Sequence, residues 1–326
     1  LLSLRPEGIY CARGDFYIDP WRPVAQAVIT HAHADHARVG HQQYHACSQG
    51  MGVLKLRLGN QNYFPHIYGE RFLFNDVIVS LHPAGHILGS SQVRVEHQGE
   101  VWVVTGDFKR APDPSCASFE VVPCDVLVTE ATFALPIYRW QQPSEIAGEI
   151  FDWWQVCKAR ARTALLLCYS LGKAQRILAE LRAFSDEQAW LHGAAHALTE
   201  CYREAGVAML PSAAVSQAEA SERFSGSLVL APPSALGSTW LKRFSKLSVG
   251  FASGWMAVRG QRRRASYDRG FVLSDHADWP ALINTVRQSG ARRVLATHGR
   301  SDALVRVLKE RGIAAEALKT ELGGAE

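Results

Sequence analysis

At 326 residues and 36.0 kDa, with 47% hydrophobic and 20% charged residues, the chain is too apolar for a disordered protein. It is long enough for two domains or one large domain with an insertion. No apolar run approaches the ~20 residues of a membrane helix, and Leu1–Pro6 turns polar too soon for a secretory signal. Seven scattered cysteines without a C-x-x-C pair, with a net charge of +4, fit reduced thiols in cytoplasm and permit a polyanionic partner without requiring one.

In chain order, the first ~135 residues read as short strands joined by Gly, Pro and Asn turns. They are Phe16–Ile18, Ala27–Thr30, Tyr63–Ile67, Val77–Leu81, Gln92–Glu96, Val101–Thr105 and Val126–Thr129. Gln92–Glu96 and Val101–Thr105, joined through His97-Gln98-Gly99-Glu100, predict a hairpin. The texture changes near Tyr138–Pro143, after which helices and strands alternate as in a doubly wound unit. A helix over Ser144–Arg160 places Ile146, Ile150, Trp153/Trp154 and Cys157 at helical spacing, with Ser144 as N-cap. Strand Ala164–Tyr169, helix Lys173–Phe184, strand Trp190–His192, helix His196–Glu204 and strand Leu228–Leu230 follow. Strand Phe271–Leu273 then leads into a helix from Trp279, and Val294–Ala296 into a helix over Asp302–Arg311.

His31-Ala32-His33-Ala34-Asp35-His36 follows directly on Val28-Ile29-Thr30. A strand end opening into a loop aims alternate side chains at one point. Imidazoles with a carboxylate form a nitrogen and oxygen ligand set suited to zinc, and less well to manganese. His86, Asp107 and His298 each stand just after a strand-like run. Alone, each reads as a turn or capping residue; together, their order and placement point to a two-metal centre.

The ordered set His31/His33/Asp35/His36, His86 and Asp107 resembles the motifs of the metallo-β-lactamase superfamily. Val126–Phe133, which contains Glu130, then Ser274-Asp275-His276-Ala277-Asp278 and Thr297-His298-Gly299 resemble motifs A, B and C of its β-CASP nuclease branch. Gly172-Lys173-Ala174-Gln175-Arg176 is similar to a stretch of that branch's extra domain, and Gly14–Pro23 with Leu135–Trp140 resemble bacterial ligase-associated DNA exonucleases. Ala131 and Ala134 depart from the pattern, which has Ser and Gly there; the acid Glu130 is kept.

The resemblance implies an α/β fold, an αββα metallo-β-lactamase sandwich over 1–140 and 256–326, interrupted by an α/β β-CASP domain over 141–255. It implies two divalent ions, zinc before manganese. His31, His33 and His86 would hold one ion, Asp35, His36 and His298 the other, and Asp107 would bridge them. Asp19 would brace the metal loop without binding metal. His276 would face the scissile phosphate and Glu130 would orient it; these two, with Asp35 and Asp107, form the catalytic set. The implied activity is DNA exonuclease in repair, beside an ATP-dependent DNA ligase and a helicase, with no membrane partner.

Candidate nucleic-acid contacts are Lys109 and Arg110 after Asp107, Tyr138, Arg139 and Trp140 at the expected domain junction, and the run Arg262, Arg263, Arg264. Solvated faces and junction packing are the plain readings of the same residues. His192 and His196, four apart, read as one helix face without a third ligand, and Gly172-Lys173 lacks the earlier glycine of a P-loop. His41, His45, His66 and His97 read as ordinary surface or strand residues. An RNA-processing nuclease of the same branch and a small-molecule thioester or lactone hydrolase are the competing functions. Only the nucleases need the Glu130–His276 pair and the inserted domain.

Overall fold

The computed structural model describes residues 1–219, 222–258 and 267–320. They form two compact units, one of 1–112, 116–139 and the chain from 276, the other of 113–115 and 140–275.

The first unit holds two sheets. Six strands, Leu2–Arg5, Gly8–Cys11, Phe16–Ile18, Gln26–Val28, Gln43–Cys47 and Tyr63–His66, lie side by side in chain order. The second sheet runs Ala314–Ala317, Arg293–Thr297, Val126–Glu130, Glu100–Val104, Ser91–His97, Val77–Pro83 and Arg71–Phe74 in spatial order. Alternation with period two divides its side chains between two cores. Val79, Val93, Val95, Trp102, Val104, Val126, Val128 and Leu295 pack against Phe16, Ile18 and Val28 of the first sheet. Val103, Leu127, Val294 and Ala296 face Leu282 and Val286 of helix Trp279–Ser289 and Leu304 and Leu308 of helix Ser301–Glu310. The expected hairpin is present with a two-residue turn, Gln98 and Gly99 both at positive φ and His97 paired with Glu100.

The second unit is a six-stranded parallel sheet, in the order Ser212–Ala214, Ala189–Leu191, Leu228–Ala231, Thr163–Leu167, Leu247–Ala252, Arg269–Phe271. Thr163–Leu167 lies inside the sheet and is buried at every position, as a strand covered on both faces must be. Helices Pro143–Ala159, Lys173–Leu181 and Gly193–Glu204 alternate with the strands.

The mixed α/β class and most elements match the sequence expectations; several local details differ. The first helix of this unit starts at Pro143, with Gln142 rather than Ser144 as N-cap, because proline's fixed φ suits the first helical position. His192 is not on a helix face. It is the N-cap of Gly193–Glu204 and accepts from the Ala194 amide. Strands Gly8–Cys11, Gln43–Cys47, Arg71–Phe74 and Leu247–Ala252 and helix Met51–Leu58 were not anticipated. No helix among the described residues is long and apolar enough to cross a membrane.

Candidate metal centre

Four strand ends and their following loops converge on Asp107. The Thr30–His36 loop leaves strand Gln26–Val28, His86 lies between Val77–Pro83 and Ser91–His97, Asp107 follows Glu100–Val104, and His298 follows Arg293–Thr297. Two close backbone approaches permit this. Gly106 sits at φ +55, and a Cβ there would come within 2.7 Å of Thr30 Cβ. Gly299 sits at φ +58, and a Cβ there would strike the carbonyl oxygen of Ala131. His298 itself holds φ +61, a costly conformation for a non-glycine residue.

Three groups of side chains able to hold a metal ion share Asp107: His31, His33 and His86; His36 and His298; Glu130 and His276. Asp107 Oδ2 lies 3.6 Å from His31 Nε2, 3.4 Å from His36 Nε2 and 3.8 Å from His86 Nε2, and Oδ1 lies 3.4 Å from His298 Nδ1. His33 Nδ1 is 3.1 Å from His31 Nε2 and 3.0 Å from His86 Nε2. That nitrogen carries at most one proton, so hydrogen bonding satisfies only one of these approaches. A shared cation satisfies both, since donors bound to a tetrahedral zinc stand roughly 3.3 Å apart. Asp35 stands beside the second group, its Oδ2 3.7 Å from His36 Nε2.

Asp19 makes the brace. Its Oδ1 accepts from the Thr30 amide at 2.7 Å, and its Oδ2 accepts from the Thr30 hydroxyl at 2.5 Å and from His36 Nδ1 at 2.7 Å. With Nδ1 spent on Asp19, His36 turns Nε2 toward Asp107, and this buried atom has no hydrogen-bond partner. His31 is fixed in the same way, Nδ1 donating to the Thr30 hydroxyl at 3.1 Å. A carboxylate locking the far nitrogen of an imidazole is the usual outer support of a metal-ligating histidine.

Burial pushes the His31 imidazole well below its ordinary pKa. Burial acts the same way on His36, but the Asp107 and Asp19 carboxylates outweigh it and hold His36 well above. Burial would raise Asp107, yet His36 and His276 hold its carboxyl well below the usual range. The centre is thus a buried anion ringed by imidazoles, which is the charge pattern a divalent cation completes.

Glu130, 1% exposed at the end of its strand, accepts from the Phe108 amide through Oε1 at 2.8 Å and from His276 Nδ1 through Oε2 at 2.8 Å. His276 Nδ1 stands 4.0 Å from Asp107 Oδ2.

The candidate nucleic-acid residues fare differently. Lys109 is 2% exposed and does not offer a surface cation. Arg110 is half-buried and spends its guanidinium on Thr285 and Gln288 of helix Trp279–Ser289. Tyr138 is buried against Phe133, with its carbonyl accepting from the Trp279 amide, so it packs the fold instead of presenting a stacking face. Arg139 is exposed and Trp140 half-buried. Arg262, Arg263 and Arg264 lie outside the described residues. Sequence reasoning missed Arg57, whose guanidinium holds the Ala32 carbonyl between His31 and His33. It also missed Thr30, whose hydroxyl joins Asp19 to His31.

No protein-family model matches the chain. Its relatives include a protein named Probable DNA ligase from Opitutus terrae, 30% identical over 316 residues that make up 95% of this chain and 30% of that protein. Another is Endoribonuclease YSH1 of Gibberella zeae, 28% identical over 153 residues, 44% of this chain and 18% of that protein. The chain therefore spans less than a third of either relative. Among solved structures, a protein of unknown function from Enterococcus faecalis V583 matches at TM-score 0.60 and 10% identity over 91% of this chain and 79% of that one. At that identity the likeness concerns fold alone, and it agrees with a mixed α/β protein. The sequence relatives fit the superfamily that the ordered His and Asp motifs resemble.

Proposed function

We propose that this chain is a two-metal phosphodiesterase of the β-CASP branch, with an αββα metallo-β-lactamase sandwich carrying an inserted β-CASP domain, and that it acts as a DNA exonuclease in repair. The carrying observation is the sharing of Asp107 by two imidazole groups, beside a Glu130–His276 hydrogen bond of 2.8 Å. His31, His33 and His86 would hold one ion, Asp35, His36 and His298 the other, and Asp107 both. When bound, such ions acidify a water and neutralise charge on a phosphate.

The chain's own residues do the rest. Asp19 and Thr30 hold the ligating imidazoles in the tautomers that present Nε2. Glu130 keeps His276 charged and aimed through Nδ1. As water oxygen bonds to phosphorus and the phosphorus–oxygen bond to the leaving strand breaks, His276 delivers the Nε2 proton to the departing alkoxide. A thioester hydrolase expels a thiolate that needs no proton donor, and a small-molecule hydrolase of this fold does not require this pair.

DNA is favoured because the match to the ligase-named relative runs along 95% of this chain. The second reading, an RNA-processing nuclease, is supported by the endoribonuclease-named relative and by His298, since in the branch that the motifs resemble histidine at motif C is commoner among RNA-processing members. Purified protein with end-labelled DNA and RNA strands, with zinc or manganese added, tests both. Shortening of DNA from one end supports the proposal, internal cleavage of RNA supports the second reading, and no cleavage of either overturns both.

A further inference from the structure

Five charged side chains are buried together in the second unit. Lys173 is 1% exposed, Arg176 3%, Asp113 2%, and Glu180 and Asp275 7% each. Lys173, Arg176 and Glu180 share one face of helix Lys173–Leu181, at spacings of three and four. Arg176 Nε donates to Glu180 at 2.8 Å and lies 3.5 Å from Asp113 Oδ2. One nitrogen of its guanidinium donates both to the Ser274 carbonyl, at 2.7 Å, and to Asp275 Oδ1, at 2.9 Å. Lys173 Nζ stands 3.6 Å from the other Asp275 oxygen. Burial works against the Arg176 charge, but Glu180, Asp113 and Asp275 outweigh it and raise its pKa.

Buried ion networks are poor sources of stability compared with an apolar core of the same volume. What this one supplies is fixed geometry at a particular peptide. Arg176 grips a main-chain oxygen and the next side chain at once, so both the plane and the direction of the 274–275 peptide are set. The residue that follows is His276. A planar guanidinium is suited to this double grip, where a lysine ammonium would hold a single point.

We infer that Arg176 is a positioning residue for His276, acting through Ser274 and Asp275, with Lys173 holding the second Asp275 oxygen. The inference rests on the reading of His276 as proton donor. It also gives the Gly172–Arg176 stretch a role besides packing.

The test is a double-mutant cycle on cleavage of an end-labelled DNA strand with zinc or manganese. Arg176→Gln and Asp275→Asn are each made alone and with His276→Ala, and folding is checked by circular dichroism and metal content by elemental analysis. Arg176→Gln should lower kcat by about 10–100-fold, the usual loss for a misplaced catalytic group, with KM and metal content unchanged. In the His276→Ala background the same change should fall within about twofold of His276→Ala alone. Should Arg176→Gln fail to fold, the near-isosteric Asp275→Asn carries the same cycle with a smaller loss. An equal loss with and without His276 overturns the inference and leaves the network structural. A wild-type rate in His276→Ala alone overturns the His276 reading instead.

Discussion

Replacing Asp19 by asparagine separates the brace from the fold. Asparagine keeps Oδ1 for the Thr30 amide but sets an NH2 group in place of Oδ2, where the Thr30 hydroxyl and His36 Nδ1 both donate in the wild type. Hydrogen bonds to a charged group contribute about 1.5–3 kcal/mol each, so two lost acceptors cost at most about 3–6 kcal/mol. One relief is open: His36 changes tautomer, Nδ1 accepts from the new amide, and the hydrogen moves to Nε2. That relief recovers part of the stability and ruins the ligand, because an N–H then faces Asp107 at 3.4 Å where a lone pair is required. Loss of an outer-shell partner typically lowers metal affinity 10–100-fold, and the reversed tautomer pushes Asp19→Asn to the upper end of that range. The assay is zinc titration against a chromophoric chelator, beside urea unfolding. One ion should bind as in the wild type and the second about 100-fold more weakly. A folded Asp19→Asn protein that binds two ions at wild-type affinity would refute the reasoning.

Asp107→Ala removes the carboxylate common to all three ligand-capable groups and should abolish binding of both ions; one stoichiometric ion in elemental analysis would show that it serves only one. His276→Ala should retain both ions and lower cleavage by roughly 10²–10⁴-fold. Glu130→Gln should act more mildly, and full additivity of the two in a rate assay would disprove a shared role. Burial holds His41 and His45 down to a pKa of about 4, while an unfolded histidine titrates near 6.5. The unfolded chain therefore binds more protons between those values, and stability, complete above about pH 6.5, falls toward pH 4. The double variant His41→Leu/His45→Leu should show a shallower acid slope in urea titrations, and an unchanged slope would count against this account.

The convergence of these side chains was legible because the residues are chemically distinctive and each follows an apolar run. His31, His33, His36, His86, Asp107 and His298 all lie where a strand opens into a loop. The supporting geometry was hidden for particular reasons. Thr30 reads as the end of a β-branched run, and its hydroxyl links Asp19 to His31 only once residues eleven apart in sequence are brought together by folding. Arg57 sits on a helix whose sequence, Met51–Leu58, has buried Val53 and Leu54 beside exposed Leu56 and so carries a weak periodic signal. Strand Gln43–Cys47 holds His45 and Tyr44 at buried positions, which a polar-looking sequence does not announce. Lys109 misled in the opposite direction: lysines are rarely buried, so a basic pair after a ligand reads as surface until burial is seen.

The three groups around Asp107 are not equivalent, and hydrogen bonding separates them. In the second, His36 commits Nδ1 to Asp19, and its buried Nε2 and His298 Nε2 have no hydrogen-bond partner. In the first, His33 Nδ1 meets two ring nitrogens with at most one proton to share. The second arrangement leaves buried ring nitrogens that a cation would satisfy. The third group satisfies itself, since Glu130 gives one oxygen to the Phe108 amide and the other to His276 Nδ1. Each carboxylate oxygen keeps a second lone pair, so what sets this group apart is the imidazole: with Nδ1 donating to Glu130, His276 has only Nε2 left to offer. Hydrogen bonding thus sets the Glu130–His276 pair apart from the two imidazole groups that could each hold an ion.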